Sequence, residues 1–502
     1  MLESEKREPL AVPTADFRLG DRIVLGLIAL FALLTLICPL AAVFFRYEVN
    51  YNEGWNAYNA LAAAQHLPLY GAKYGWTTVN YPALSFFIIS QLSSLTHDYL
   101  LTGRLLSIIS FAVCSVFVGI VIRRFTARVA PVIFGAAFFV AIFCSQSPRA
   151  IGADDPQIFP LAFFLGTFLL YLIKRDKLNF GWISLIVLLF VTAGNIKHNY
   201  ADFPLAVFVD LCLLSRRKAI QFALVSIPLI GLSFWLNVAY GGPYFFTNVL
   251  GHRGFDPSGL DFPPAIILPF VLSLAWAIKL WRDKPRRLIS IFFLVSAVVG
   301  FGFGMGVGVS VNTFFSNFVA MSIVLALLLD SLWHHASDFF LKYPRSWRWG
   351  VPLAVCASLA ISFFFFSDTS DSPNMFRRLK EMPVKQQYYA AEVSFMKDHP
   401  GPAICQSMLR CFDAGKPYIY DPFNATRFMR TGKLNSGELV ARIDAQQYSA
   451  IQLNQHVEST ERPSDRFPDE VLDAIQRDYV IGVDDPGCTI YVPRQSTAAA
   501  LE

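Results

Sequence analysis

The sequence predicts a polytopic α-helical membrane protein with about eleven transmembrane helices, resembling no soluble class, followed by a small C-terminal α/β region. Three observations predict it. Hydrophobic residues make up 54% of the chain and charged residues 16%, with a mean hydropathy of +0.45; soluble globular chains carry about 25% charged residues. Many apolar runs approach the roughly 20 residues needed to cross a bilayer. Lys and Arg alternate from one set of connecting loops to the next, as the positive-inside rule requires.

The apolar runs fall at 23–45, 104–122, 130–147, 156–173, 179–196, 201–215, 219–240, 264–281, 288–308, 312–331 and 350–367. The first is longer than a signal-peptide core and lacks a small-residue cleavage site, so it reads as a retained helix. The run from Tyr81 to Leu95 is shorter and polar-flanked, and reads as an interfacial or re-entrant helix. The division expected is a cytoplasmic segment 1–22, a membrane domain 23–367 with an outer loop 46–103, and a soluble α/β domain 368–502. The closing "TAAALE" reads as a vector scar and is set aside.

Orientation follows from the basic residues. Arg18 and Arg22, Arg123 and Arg124, Arg216 and Arg217, and Arg282 and Arg286 all fall on one side, with Lys342, Arg345 and Arg348. That side is the cytoplasm, so the loop after the first span and everything past Asp368 lie outside. The formal net charge of +5 is no sign of nucleic-acid binding, because the basic residues sit in these short loops.

The terminal segment mixes strand-like runs ("PYIYDP", "YSAIQL", "CTIYVP") with helical ones over Pro383–Lys397, Ser436–Gln447 and Pro468–Arg477, which reads as α/β. Cys405, Cys411 and Cys488 lie there, where oxidation is permitted, and spacing does not choose the pair. No zinc pattern occurs, and a divalent metal has no support from the sequence.

Acids on the outer side are few. Glu48 and Glu53 follow the first span; Asp154 and Asp155 sit in "GADDPQIFP", in a loop barely long enough to leave the membrane. Charge at membrane depth is costly and tends to face a cavity or a partner. A carboxylate there suits general-base work. The structural alternatives are solvation for Glu48 and helix capping for one of Asp154 and Asp155, before a helix that opens with Pro. Lys197, His198 and Asn199 cluster at the outer junction of two spans, and His252 and Arg253 lie in "GHRGF". They suit a grip on an anion such as phosphate, or snorkelling at the interface.

"YNEGWNAYNALAAAQHLPLY", with "VNYPALSFFIISQLSSL" and "LTGRLLSIIS" after it, resembles the first outer loop of the C-type glycosyltransferases. The bacterial branch around the aminoarabinose, protein-mannosyl and rhizobial lipopolysaccharide transferases is the nearest in pattern. "ADDPQIFPLAFFLGTFLLYL", "NIKHNYADFPLAV" and "GVSVNTFFSNFVAMSIVLALLL" resemble its later membrane motifs, and "ICQSMLRCFDAGKPYIYDPFNATRFMRTGKL" its outer domain. The likeness covers nearly the whole chain. Three departures stand out: Asn52 replaces the acid of an Asp-Glu pair, Ala83 replaces a proline, and a phosphate-gripping lysine has no match closer than Lys73.

The resemblance implies an inverting transferase of the bacterial inner membrane. It would move a sugar from a polyprenyl-phosphate donor to a glycolipid, polysaccharide or other acceptor on the outer face, with no other cofactor implied. It assigns Glu53 and Asp155 as base and partner, with the reversed roles open. Lys197, His198 and Arg253 would hold the donor phosphate, and Asn52, Asp154, Tyr81, His252 and Asn312 would contact substrate. Trp55, Tyr58, Tyr70, Tyr74 and Trp76 read mainly as interfacial anchors. The rival readings are a lipid-linked-sugar flippase and an inactive relative serving assembly. The first is disfavoured because no internal repeat is found and the acids sit at one rim.

Overall fold

The computed structural model describes residues 19–251, 254–334, 349–365, 375–457 and 465–494. His252, Arg253, Lys342, Arg345, Arg348 and the boundary at 368 lie outside them.

Helices occupy all eleven expected spans. In chain order they are α1 (Leu19–Ala42), then α2 (Asn52–Ala64) and α3 (Leu84–Thr96) in the first connecting segment, then α4 (Tyr99–Arg123), α5 (Val129–Gln146), α6 (Ile158–Lys174), α7 (Phe180–Ile196), α8 (Asp202–Leu214) and α9 (Arg216–Leu236). After the short α10 (Phe245–Val249) come α11 (Ile267–Leu280), α12 (Arg287–Gly304), α13 (Phe315–His334) and α14 (Gly350–Phe365). Seven of the described helices are long and apolar enough to cross a membrane, and several more are shorter and apolar. The chain is a multi-pass membrane protein. Its main core runs through α4, α5, α6, α8, α12 and α13, where Phe138, Phe143, Phe168, Phe292 and Phe318 are buried.

The expected span 288–308 does not continue as helix to its end. α12 stops at Gly304; Gly300 lies against Phe314, Gly304 against Leu260 and Gly308 against Phe423, while Gly302 faces open space.

The C-terminal region begins with α15 (Met375–Asp398) and builds a four-stranded sheet from β1 (Ala403–Cys405), β2 (Ala450–Leu453), β3 (Tyr479–Asp485) and β4 (Cys488–Pro493), in the order β1-β2-β4-β3. β1 and β2 are parallel and the other pairs antiparallel. Between them lie α16 (Met408–Asp413), α17 (Pro422–Arg430), α18 (Ser436–Asp444) and α19 (Asp469–Asp478). "YSAIQL" and "CTIYVP" supply β2 and β4, but "PYIYDP" is no strand. Its Asp421 N–H donates to the Trp76 carbonyl at 2.7 Å, and the Asp421 carboxylate caps α17. Cys405 and Cys411 form a disulfide, which leaves Cys488 buried and free.

The outer aromatics differ from expectation. Tyr58, Tyr74 and Trp76 grip the C-terminal region, while Trp55 and Tyr70 are buried against Phe86 and Phe245. Tyr58 is buried, stacks on Tyr418 at 4.8 Å, and donates to the Lys416 carbonyl at 2.8 Å. Tyr74 meets Phe428 edge-on and Trp76 lies against Tyr420. Gly54 lets α2 touch α16 directly: a Cβ there would come within 2.1 Å of the Leu409 nitrogen. Arg46 adds ion pairs to Asp98 and Asp413.

Candidate active site

The site is built on three chain reversals at one end of the helical bundle. The first opens α2. Asn50 Oδ1 accepts from the Asn52 N–H at 2.9 Å, and Glu53 Oε2 reaches back to the N–H groups of Val49 (2.7 Å) and Asn50 (3.4 Å). These bonds fix the turn that enters α2, although Tyr51, the residue just before the helix, makes no side-chain cap. Glu53 therefore sits in the first turn of a helix, fully buried, rather than on a flexible loop. Arg104 donates to both of its oxygens at 2.7 Å and also to the carbonyls of Ala42, Phe45 and Tyr47. The Asp154 N–H adds a further bond to Glu53 at 3.1 Å. Glu53 thus closes the end of α1 onto α4, and its lone pairs are engaged.

The second reversal joins α5 to α6. α6 starts at Ile158, so neither Asp154 nor Asp155 caps it. Asp155 instead turns inward: its Oδ2 accepts from Asn52 Nδ2 at 2.8 Å and from Gln157 Nε2 at 3.2 Å. The Asp154 carbonyl accepts from Asn56 at 2.7 Å, while its carboxyl lies buried against Gly103. Burial, reinforced by the Glu53 and Asp155 carboxylates, pushes the Asp154 carboxyl well above the usual range. Asp154 is thereby suited to being neutral, whereas Asp155 has two amide donors and the Lys197 ammonium beside it.

The third reversal follows α7. Lys197 leaves the helix in extended conformation, and a 3-10 turn over His198–Tyr200 follows. The Tyr200 hydroxyl donates to the Gln157 carbonyl at 2.8 Å, joining the second reversal to the third. The buried Lys197 ammonium lies 3.8 Å from Asp155 Oδ1 and 3.9 Å from the centre of the Tyr81 ring. Carboxylate and π-face together offset its desolvation.

Asn52, Tyr81, Asp155 and Lys197, all expected at the site, therefore converge. Asp154 lies directly behind them. His198 faces the other way, into an apolar groove of about 200 Å³ that also includes Pro82, Phe190, Asn195 and Phe234. The groove thus begins one residue from both Tyr81 and Lys197. Asn312 lies apart, half-buried in the turn Val311–Phe314. Glu48, read as solvated, is half-buried, and its Oε2 accepts from the Leu409 N–H at 3.4 Å.

Gln157 and Arg104 were not picked out as site residues. Arg104 carried a signal, since an arginine opening a span demands a partner. Gln157 carried none beyond its nearness to Asp155. No group of three or more His, Cys, Asp or Glu suited to a metal occurs among the described residues.

The apo crystal structure of ArnT from Cupriavidus metallidurans superposes at a TM-score of 0.61, with 13% identity over 93% of this chain and 97% of that one. The chain has the fold of ArnT. The same enzyme bound to undecaprenyl phosphate aligns at a TM-score of 0.57 and 14% identity, over 93% of this chain and 98% of that one. An Archaeoglobus fulgidus oligosaccharyltransferase is a looser match, at TM-score 0.46 and 13% identity over 94% and 73% of the two chains. No protein-family model matches the sequence, and no curated protein does. At such identities the likeness to ArnT is one of fold.

Proposed function

We propose that the protein is an inverting glycosyltransferase that takes its sugar from a polyprenyl-phosphate donor and works on the outer face of a bacterial inner membrane. One observation carries the reading: a buried Asp155–Lys197 pair lies next in the chain to His198, which lines an apolar groove. A buried cation next to an apolar groove fits a phosphate that carries a lipid tail. The binding of undecaprenyl phosphate by ArnT, which shares the fold, supports this choice.

Lys197 would hold the donor phosphate, with His198 in the groove wall and Arg253, outside the described residues, as further candidates. The acceptor hydroxyl oxygen bonds to the anomeric carbon from the face opposite the phosphate. The bond from that carbon to the phosphate oxygen breaks, and the phosphate leaves with the electron pair, its charge met by Lys197. The hydroxyl proton passes to Asp155. Asn52 orients that carboxylate, which explains how an amide replaces an acid at this position: an Asp there would place two carboxylates about one hydrogen bond apart, whereas Asn donates. Glu53, held by Arg104, is better suited to shaping the loop than to taking a proton. The base role is accordingly assigned to Asp155.

The helical part, 23–367, would be the catalytic domain, and 368–502 an outer domain covering it. The charge pattern supports that orientation. A reporter active only outside the cytoplasm is expected to work after Asp368 and fail at Arg216. The activity itself is tested by incubating purified protein with a panel of polyprenyl-phosphate sugars and membrane acceptors. Transfer of a labelled sugar supports the reading, and movement of the intact lipid-linked donor between leaflets without transfer would favour a flippase.

A further inference from the structure

The outer end of α9 does not close as an α-helix. Residues Asn237–Gly241 form a π turn, and Gly242 follows at φ 122°. Such turns are rare and recur at functional sites. This one packs against the chain around Tyr81. The Gly241 carbonyl accepts from the Tyr70 N–H at 2.7 Å, and the Tyr244 N–H donates to the Tyr70 carbonyl at 3.3 Å. Both glycines allow that approach. A Cβ on Gly241 would come within 2.5 Å of the Tyr70 ring, and one on Gly242 within 2.7 Å of the Tyr70 carbonyl oxygen. Tyr70 is fully buried and donates its hydroxyl to the Tyr81 carbonyl at 2.8 Å.

Asn237 opens the π turn and joins two other pieces of chain. Its Oδ1 accepts from the N–H of Ala83, just past Tyr81, at 3.3 Å. Its Nδ2 donates to Oδ1 of Asn195, just before Lys197, at 2.7 Å, and to the Ser233 carbonyl at 2.9 Å. The Ser233 hydroxyl donates to the same Asn195 oxygen at 2.8 Å. The Ala83 N–H can only donate and the Ser233 carbonyl can only accept, which fixes the way the Asn237 amide points. The role needs an amide: aspartate would offer no donor to Asn195, and leucine neither donor nor acceptor. The surrounding wall is apolar, with Phe190, Phe234 and Phe245, so an unpaired partner there would be costly.

The tripeptide 81–83 is thus clamped at both ends, by Tyr70 on the Tyr81 carbonyl and by Asn237 on the Ala83 N–H. Its Tyr81 ring meets Trp55 edge-on at 5.1 Å and lies over the Lys197 ammonium at 3.9 Å. Because Asn237 also ties down the end of α7, it sets the spacing between ring and lysine. We propose that this π turn positions the donor-phosphate grip, with Asn237 and Tyr70 as positioning residues. They hold the Tyr81 ring on one side of the Lys197 ammonium and so aim that ammonium at the phosphate. Both act through Tyr81 and Lys197, with no phosphate contact of their own. The inference rests on the transferase reading above, in which Lys197 meets the donor phosphate.

The test measures undecaprenyl phosphate binding by the full-length protein, by titration in detergent. The variants are Asn237→Leu, Tyr70→Phe, Lys197→Ala, and Lys197→Ala combined with each of the other two. Asn317→Leu is the control, since its amide is also buried but is held by Ser296 and the Phe293 carbonyl, outside the groove wall. Asn237→Leu should weaken binding about 2–30-fold, the range of a buried cation–π contact. Tyr70→Phe should weaken it about 2–10-fold, the range of one neutral hydrogen bond. In the Lys197→Ala background neither change should weaken it further, because nothing is left to position. Asn317→Leu should lower the melting temperature and leave binding unchanged. Tyr70→Phe keeps the ring and its packing, so it carries the test if Asn237→Leu does not fold. Unchanged binding in Tyr70→Phe, an undiminished effect in the Lys197→Ala background, or an equal loss in Asn317→Leu overturns the proposal. If the unmodified protein binds no undecaprenyl phosphate, the transferase reading falls and the inference with it. If it binds, and Lys197→Ala alone weakens binding, the positioning inference fails by itself.

Discussion

Replacing Glu53 by Gln tests whether this acid is a base or a clamp. Its side chain is 0% exposed and that of Arg104 1%, and the two pair through both carboxylate oxygens at 2.7 Å. Glutamine keeps one oxygen and gains an NH2 group, which would face Arg104 or the Val49 N–H, donor against donor. Removing one partner of a buried ion pair costs about 3–5 kcal/mol, because the other charge stays buried. If all 502 residues melted as one unit, the midpoint entropy would be about 1 kcal/mol/K, from roughly 2.1 cal/mol/K per residue. The melting temperature should therefore fall by about 3–5 °C. Thermal denaturation in detergent, followed by tryptophan fluorescence, measures the fall. The double variant Glu53→Gln/Arg104→Met should recover part of it, since no unpaired charge then remains. Turnover should drop in Glu53→Gln together with stability. A variant that melts like the parent protein yet transfers no sugar would refute this reasoning and return the base role to Glu53.

Asp155→Asn should keep the fold and lose about 10²–10⁴-fold in single-turnover transfer, the usual contribution of a general base; near-normal turnover would remove Asp155 from that role. Lys197→Ala should weaken undecaprenyl phosphate binding by roughly 10–150-fold, the equivalent of about 1.5–3 kcal/mol for a charge-assisted hydrogen bond, as measured by titration in detergent. Burial pushes the Glu48 carboxyl from 4.5 up to about 7. The unfolded chain loses that proton first, so the folded state binds more protons between these values, and stability falls as pH rises through that window. Glu48→Gln should flatten this part of a melting-temperature series taken from pH 4.5 to 7.5, and an unchanged slope would clear Glu48 of the effect.

The sequence by itself determined the helices and their number, because each bilayer-length apolar run has one way to satisfy its backbone. The short connections marked Asp155 and Lys197, because polar groups there must find partners, and the resemblance to the C-type glycosyltransferases marked Asn52 and Tyr81. The need of Arg104 for an acid was also legible, in its position at the head of a span. Tertiary structure alone decided which acid Arg104 takes. Four outer acids were available, and the choice of Glu53 depends on α1, α2 and α4 meeting at one point. That choice leaves Asp155 to face Lys197. The same holds for Tyr58, Tyr74 and Trp76: an aromatic after a span has the same local signature whether it meets lipid headgroups or another part of the protein. Here a folded C-terminal region covers that surface, and close packing against it buries more of these rings than an interface would.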